Sequence, residues 1–400
     1  MSTSNQDKKQ LTSQLLKSKN KFPKTLEDTN MWEYHFWNTQ PMVKLNEYIS
    51  SPSQITTLNK IENEYDSPAP YKFMNMDLNN EEHLKKLTNF IRINYFASNN
   101  KQAINYSSNF LKFLFNDGIN LCLVAFDKTN SIILGGFIHA DINKYQIYDK
   151  QIDLGEVSFL TVHPKLRNYQ VGQLLIKEIT RQINNLGYQV GLFTSPRYLP
   201  TPICEYKTYH RPINYVRTVE SQYIDKADGK IDLIVEYYKV NGELSDNLIK
   251  IKEEHYEEAY KLYQEYMEKY TLHKIYTYDQ FLYWFCKNEH IHTYVFVDEN
   301  NKPQDLLSYY ESKREDKLNL LICNLFVYTS NNITPMLLLK NLNILARDNK
   351  YDVVTVTNTL ENDKILIGNK FIEEIDTSKV YLYNYKCPQI NISQICLPNF

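Results

Sequence analysis

Glycine is scarce in this chain of 400 residues, which holds 10. With so few, each glycine at a turn or helix start carries positional meaning, because glycine alone tolerates positive φ or close backbone approach at little cost. Net charge is almost absent. The 45 Lys and Arg against 47 Asp and Glu leave a formal −2, and no dense basic stripe crosses the body of the chain, which speaks against a nucleic-acid binder. Cys122, Cys204, Cys286, Cys323, Cys387 and Cys396 are widely spread, with no CxxC spacing. Neither a zinc framework nor a disulfide scaffold follows, and a reducing compartment is expected. No apolar run approaches the roughly 18–20 residues that span a bilayer, and the opening MSTSNQDKKQ has no signal-peptide core. A cytoplasmic protein without a transmembrane segment is expected.

What is present is aromatic. The 33 tyrosines help bring aromatics to 14% of the chain, ample material for a large core or a deep apolar cleft. Residues 1–30 are polar and lysine-rich, with a basic cluster from Lys17 to Lys24. A flexible, solvated leader is expected there, with a ribosome or membrane-surface contact as the alternative. Order is expected from Met31, where Trp32, Tyr34, Phe36 and Trp37 follow closely.

Hydrophobic periodicity then predicts helices over Glu82–Ile93 and Asn109–Phe115, and a hairpin of Leu121–Phe126 and Ile132–Ala140 around the turn Asp127–Asn130. A strand from Gly155 to Val162 leads through His163-Pro164 into an amphipathic helix, Val171–Asn184. The second half repeats this grammar. A strand at Asn247–Ile251, helices at Tyr256–Tyr270 and Tyr278–Cys286 and a hairpin of Tyr294–Val297 with Leu306–Tyr310 precede the strand Leu320–Tyr328 and the helix Pro335–Arg347. The two strand–loop–helix passages, VSFLTVHPKLRNYQVGQLLIKEI and ICNLFVYTSNNITPMLLLKNL, match in kind and length, which points to an internal duplication. The expected fold is α/β (α+β), with two tandem units related by a pseudo-twofold and mixed sheets flanked by helices. The halves are drawn at 31–220 and 221–400.

Only the first loop carries Arg167-x-x-Gln170-x-Gly172. A strand entering a helix through a tight loop leaves backbone N–H groups and the positive end of the helix dipole facing outward, a ready anion site. The acyl-CoA N-acyltransferase superfamily binds coenzyme A through an Arg/Gln-x-x-Gly-x-Gly/Ala loop, which this segment resembles with Gln170 in place of the first glycine. Alone, so short a pattern is weak. Its surroundings are more specific: EVSFLTVHPKLRNYQVGQLLIKEI (Glu156–Ile179), YHFWNTQP (Tyr34–Pro41), LPTPICEYKTYHRPIN (Leu199–Asn214) and YLYNYKCP (Tyr381–Pro388) resemble, in order and spacing, the N-myristoyltransferase family.

The resemblance implies transfer of myristate from myristoyl-CoA, as co-substrate, to the N-terminal glycine amine of peptides or nascent proteins, by a monomer with no prosthetic group and no metal. It implies that backbone N–H groups of Phe159 and Leu160 receive the thioester carbonyl. Tyr34, His35, Phe36 and Trp37 would cover the nucleotide. Arg167, Asn168, Gln170, Val171, Gly172 and Gln173 would hold the diphosphate. Thr194 would lie near the attacking amine, and Tyr95, Tyr106, His210, Ser308 and Asn358 would line the peptide groove. A glycine ammonium has a pKa of about 8 and must lose its proton. The family uses its C-terminal carboxylate as base, which here is that of Phe400. Between a free α-carboxyl near pKa 3.5 and that amine the transfer is uphill by roughly 4 units, about 6 kcal/mol, unless burial narrows the gap.

Three departures fall on the peptide side. The segment FASNNKQA (Phe96–Ala103) carries no acid and one lysine, Ile372–Asp376 replaces a glycine-rich loop, and Asn358 stands where an aspartate is expected. The acyl donor is therefore expected to be retained and peptide preference altered. The alternatives are a non-catalytic acyl-CoA- or lipopeptide-binding relative, or an acyltransferase of different chain length or lysine specificity.

Overall fold

The computed structural model describes residues 23, 26–29, 32–95, 104–315 and 317–398. Most of the leader 1–30, the segment Phe96–Ala103 and the terminal Phe400 lie outside the described residues. The first half contains β1 (Lys72–Asn75), α1 (Glu81–Asn94), α2 (Ser108–Leu114), β2 (Ile119–Phe126) and β3 (Ile132–Ile147). It continues with β4 (Lys150–Val162), α3 (Val171–Asn185), β5 (Gly191–Ser195) and β6 (Cys204–Pro212). The helix starts follow from local chemistry. Asn80 caps α1 by accepting from the N–H of Glu82 and His83, and Ser107 caps α2 by accepting from Phe110. The β2–β3 turn forms because the Asp127 carboxylate accepts from the N–H of Thr129 at 2.8 Å and of Ser131 at 2.9 Å.

The second half runs β7 (Leu248–Lys250), α4 (Tyr256–Met267), β8 (Leu272–Ile275), β9 (Ile291–Val297) and β10 (Pro303–Arg314). Then come β11 (Leu320–Tyr328), α5 (Pro335–Asp348), β12 (Val353–Thr357), β13 (Ile372–Tyr383) and β14 (Ile395–Cys396). The helix expected over Tyr278–Cys286 is a short α-turn to Phe281 followed by a π-turn, Leu282–Cys286.

All these strands belong to one mixed sheet in the order β14-β8-β3-β4-β5-β13-β6-β12-β11-β10-β9-β7, with β1 and β2 attached beside β3. The order reads alike from its centre outward. At the middle β13 and β6 run antiparallel. Outside them, β5 pairs parallel with β4 on one side, and β12 pairs parallel with β11 on the other. Each parallel pair is bridged by a Leu-rich helix, α3 or α5, and each is followed outward by the preceding hairpin strand, β3 or β10. The repeat read in the sequence is thus repeated in topology. One feature had no sequence signal: β13, late in the chain, lies against β5, and β6, early in the chain, lies against β12. The halves exchange a central strand.

Each face of the first half has its own core. Val171, Leu175, Ile179 and Ile183 of α3 meet Leu121, Leu123, Ile138 and Ala140 on one face. At about 1.5–3 kcal/mol per fully buried aliphatic side chain, this stripe holds α3 in place and so aims its N-terminus. On the other face Leu87, Phe90 and Ile91 of α1 and Phe110 and Leu111 of α2 pack with Phe137 and Phe159.

Candidate active site

The sheet opens at the end of β4. The β4–β5 ladder has three pairs, Gly155 with Gly191, Glu156 with Leu192 and Val157 with Phe193, and none follows. On the other side of β4, pairing with β3 jumps from Ser158–His139 to Thr161–Phe137. Phe159 and Leu160 therefore oppose the single residue Ile138, a β-bulge. Phe159 has φ +54°, a left-handed value that is uncommon for a bulky residue and is found where surrounding packing enforces it. That packing is aromatic: the Phe159 ring stacks on Tyr95 at 4.8 Å, meets Phe115 edge-on at 4.9 Å and lies 6.0 Å from Tyr106. The result is a notch with the bulge on one wall and Thr194 and Ser195 on the other.

The N-terminus of α3 stands at the mouth of this notch. Gln170, its N-cap residue, has φ +58° and makes no side-chain cap, so the N–H groups of Val171, Gly172 and Gln173 lack intrahelical acceptors. A Cβ on Gly172 would meet only Val162 and Leu160 side chains, at 3.8 and 4.0 Å. The protein's own packing does not demand glycine there. Asn168, Tyr169 and Gln170 are exposed. Arg167 is turned back on the scaffold: its Nε donates to Val162 O at 3.2 Å and its Nη2 to Asn94 O at 3.1 Å, tying the loop to the end of α1.

The segment Tyr34–Trp37 lies over β5 and β13. Tyr34 is buried, its hydroxyl donates to Tyr198 O at 3.0 Å, and burial pushes its pKa up to about 12. Trp37 stacks on Phe193 at 5.4 Å, which stacks on Tyr381 at 5.2 Å, and Phe36 meets Trp37 edge-on. His35 is exposed, 3.6 Å from the Glu33 carboxylate.

On the opposite side of the bulge the groove residues divide. Thr194 is exposed on β5, within hydrogen-bond reach of the Tyr206 phenol, which also reaches Ser378. Burial holds Tyr95 and Tyr206 near pKa 12 and moves Tyr106 higher still, so these phenols stay protonated donors at neutral pH. His210 Nδ1 lies 3.0 Å from Thr355 Oγ1 and 3.1 Å from the Tyr223 hydroxyl, with Nε2 at 3.6 Å from Glu374. Ser308 is closed off: fully buried, its Oγ accepts from Thr293 Oγ1 at 3.2 Å. Asn358 ties down a turn, its Oδ1 accepting from the Lys207 N–H at 2.8 Å and its Nδ2 donating to Asp363 at 3.2 Å. An aspartate at 358 would set two carboxylates together, a physical reason for the departure noted in the sequence.

Sequence reasoning missed Tyr206, Tyr223 and Glu374. Glu374 belongs to a bulge in β13, where pairing with β6 jumps between Glu373 and Thr377 and Ile375 is left 91% exposed. The chain end is held well before Phe400. β14 pairs parallel with β8, Leu360 N donates to Ile395 O at 3.0 Å, and Ile395 and Cys396 are buried. Among the described residues no cluster of His, Cys, Asp and Glu could hold a metal, and no helix is long and apolar enough to cross a membrane.

A mixed sheet that opens beside a bulged strand, with an uncapped helix at the opening, defines an acyl-CoA N-acyltransferase type of α/β fold, here in two tandem copies. More narrowly, the chain belongs to the N-myristoyltransferase family: residues 52–206 match Myristoyl-CoA:protein N-myristoyltransferase, N-terminal domain, and residues 225–395 match its C-terminal domain. It is 30% identical to a Plasmodium falciparum protein named glycylpeptide N-tetradecanoyltransferase, over 91% of this chain and 92% of that one. It is 28% identical to the Caenorhabditis elegans probable glycylpeptide N-tetradecanoyltransferase, over 94% of this chain and 87% of the relative. The fold superposes on that of Saccharomyces cerevisiae N-myristoyltransferase, solved with bound myristoyl-CoA, with TM-score 0.83 and 21% identity, covering 91% of this chain and 99% of the other.

Proposed function

We propose that this chain transfers a tetradecanoyl group from coenzyme A to the N-terminal glycine amine of peptides and nascent proteins. The observation that carries the reading is the notch, where a bulged strand with Phe159 at φ +54° lies beside the uncapped start of α3. In this reading the diphosphate lies on the N–H groups of Val171, Gly172 and Gln173, and the nucleotide lies under Tyr34–Trp37. The thioester carbonyl faces the N–H groups of Phe159 and Leu160. Donors fixed in advance where an oxyanion develops are worth a few kcal/mol in the transition state, because they need no reorganisation as charge appears.

The attacking amine sits near Thr194 and the buried phenols, and its proton passes to the Phe400 carboxylate. Support for that base comes from the tether: Ile395 and Cys396 are held in β14 and Leu397 packs beside Ile395, and three further residues reach at most about 10 Å. The amine attacks the thioester carbon, the C–S bond breaks, and the amide forms with release of the CoA thiol. The same reading takes 31–220 as the acyl-CoA half and 221–400 as the half that builds the peptide groove, in a cytoplasmic monomer.

Incubation with myristoyl-CoA and matched peptides beginning in Gly or Ala, with the released CoA thiol titrated, tests the reading. Thiol release with Gly peptides alone is expected. A chain that binds myristoyl-CoA and never releases thiol is a non-catalytic relative.

A further inference from the structure

Successive side chains of β6 point to opposite faces of the sheet. His210 looks into the groove, and Arg211 looks the other way, across from Val354 of β12. Arg211 is buried, at 5% exposure. Its one hydrogen bond runs from Nη1 to the carbonyl of Pro212 at 3.2 Å, and its guanidinium lies 5.4 Å from the centre of the Tyr238 ring. Nε is shut off from solvent with no acceptor. Among the described residues no carboxylate pairs with this side chain. Asp352, two residues before Val354, is spent on Arg217 Nε at 2.7 Å and on the N–H of Leu321 at 3.0 Å.

A buried guanidinium without a counter-charge is an unfavourable arrangement. Burial depresses the pKa of Arg211, yet arginine keeps its proton at neutral pH. The charge cannot be shed, and one carbonyl and one ring face offset only part of its desolvation.

The surroundings add donors and a second cation. Tyr238 stacks on Tyr215 at 5.3 Å, and among the described residues its hydroxyl makes no hydrogen bond. The Tyr215 hydroxyl accepts from the N–H of Ala227 at 2.9 Å, which leaves its own proton to donate. Tyr237 meets Tyr238 edge-on at 5.0 Å, and Lys370 Nζ lies 4.5 Å from the centre of the Tyr237 ring. Lys370 Nζ donates to Tyr237 O, and among the described residues it too pairs with no carboxylate. The two tyrosines end the short helix Ile231–Tyr238, none of whose residues is buried.

We propose that Arg211 is the centre of an oxyanion site, on the face of β6 opposite the groove and beside the helix Ile231–Tyr238, and that its ligand is a phosphate-sized dianion. The Nε and Nη2 edge of the guanidinium, unspent within the protein, matches two oxygens at once. The remaining oxygens can accept from tyrosine hydroxyls, and two negative charges balance Arg211 and Lys370. The site is separate from the notch and does not depend on the acyl-CoA reading.

The test is calorimetric titration of the full chain with inorganic phosphate at matched ionic strength. The protein is first dialysed into chloride and saturated with coenzyme A, so that the loop before α3 is occupied. One phosphate per chain should bind, more tightly than acetate, and the melting temperature should rise with each tenfold of phosphate. Arg211→Met should weaken phosphate by roughly 10- to 100-fold, the range for lost hydrogen bonds to a charged group. Arg211→Lys should fall between, keeping charge without the fork. In chloride alone Arg211→Met should melt no lower than wild type, because an apolar side chain replaces an unpaired buried charge. Three results would each overturn the site. Phosphate might act equally on wild type and Arg211→Met, which places it elsewhere; acetate or chloride might match phosphate, which reduces the effect to screening; or Arg211→Met might melt well below wild type in chloride, which means that the carbonyl and the ring already satisfy the guanidinium.

Discussion

The loop into α3 and the loop into α5 occupy matching places in the two halves and treat the same physical problem differently. Both follow a strand that pairs parallel with the next one, and both must satisfy N–H groups at a helix start. In the second half the protein does so internally. Asp305, fully buried at the start of β10, accepts from the N–H of Asn331, Asn332 and Ile333 at 2.7 Å each and from Thr329 Oγ1 at 2.8 Å. Thr334 then caps α5 and Pro335 opens it, where its missing N–H is no loss. In the first half Gln170 offers no cap. Ladder pairing places Leu307 opposite Tyr328 and Gly136 opposite Val162, so Leu134 holds the place in β3 that Asp305 holds in β10. In the second half a buried carboxylate holds the loop and a threonine caps the helix; at the matching places of the first half stand Leu134 and the uncapping Gln170.

Removing the internal carboxylate should produce the largest effect. Asp305→Ala leaves four buried or half-buried donors unmet, and a stability loss of about 3–5 kcal/mol is expected in urea denaturation. Acyl-CoA affinity of the remaining folded fraction should be unchanged. An Asp305→Ala chain as stable as wild type would show that the loop before α5 needs no carboxylate.

The matching attack on the first half should spare stability and remove affinity. Arg167→Ala combined with Gly172→Asp should weaken acyl-CoA binding by about 2–4 kcal/mol, because a carboxylate is added where phosphate is to sit. The open space around Gly172 leaves room for the side chain, and an acid in the first turn of α3 offsets part of the two Arg167 bonds lost, so the melting temperature should fall only slightly. Unchanged affinity by calorimetry would place the phosphates elsewhere.

The halves also differ in what they lend each other, since the tail of the second half supplies the base proposed for the first. Deleting Pro398–Phe400 should lower turnover about 10²-fold or more with acyl-CoA binding nearly intact. Adding one glycine after Phe400 should also lower turnover, by displacing the charge up to about 3.5 Å with every side chain kept. A fully active extended chain would remove the terminal carboxylate from the mechanism.

The smallest contrast lies in the caps. Thr334→Ala should cost about 1 kcal/mol. Gln170→Gly, at a residue already left-handed with no cap bond to lose, should stabilise by up to about 1 kcal/mol. Equal responses at the two positions would mean that the helix starts are built alike after all.

Much of this was legible in the chain because it is local. The α3 stripe Val171, Leu175, Ile179, Ile183 follows helical spacing, the Asp127–Asn130 turn follows from a side chain that bonds nearby backbone, and the two strand–loop–helix passages betray the duplication by period and length. The resemblance also singled out Phe159 and Leu160, which the structure places on the bulge. The strand β3 runs to Ile147 rather than Ala140 because its later residues are paired on both sides, by β4 and by β8. Polar side chains such as Asp141 and Asn143 hid that extension from any reading by hydrophobic alternation.

What the sequence determined by itself was the set of elements whose forces act within a few residues: helix faces, turns, caps and the repeated unit. Tertiary structure alone decided which strands lie at the centre, because β13 meets β5 and β6 meets β12 through pairings over 140 residues apart, and no local pattern encodes such a distance. It decided, too, that Ser308 is closed into the sheet and that Asn358 ties down a turn. A side chain's role at those positions depends on neighbours brought from elsewhere in the chain. The loop before α5 has the same origin, since Asp305 reaches Asn331–Ile333 only once β10 and β11 have paired.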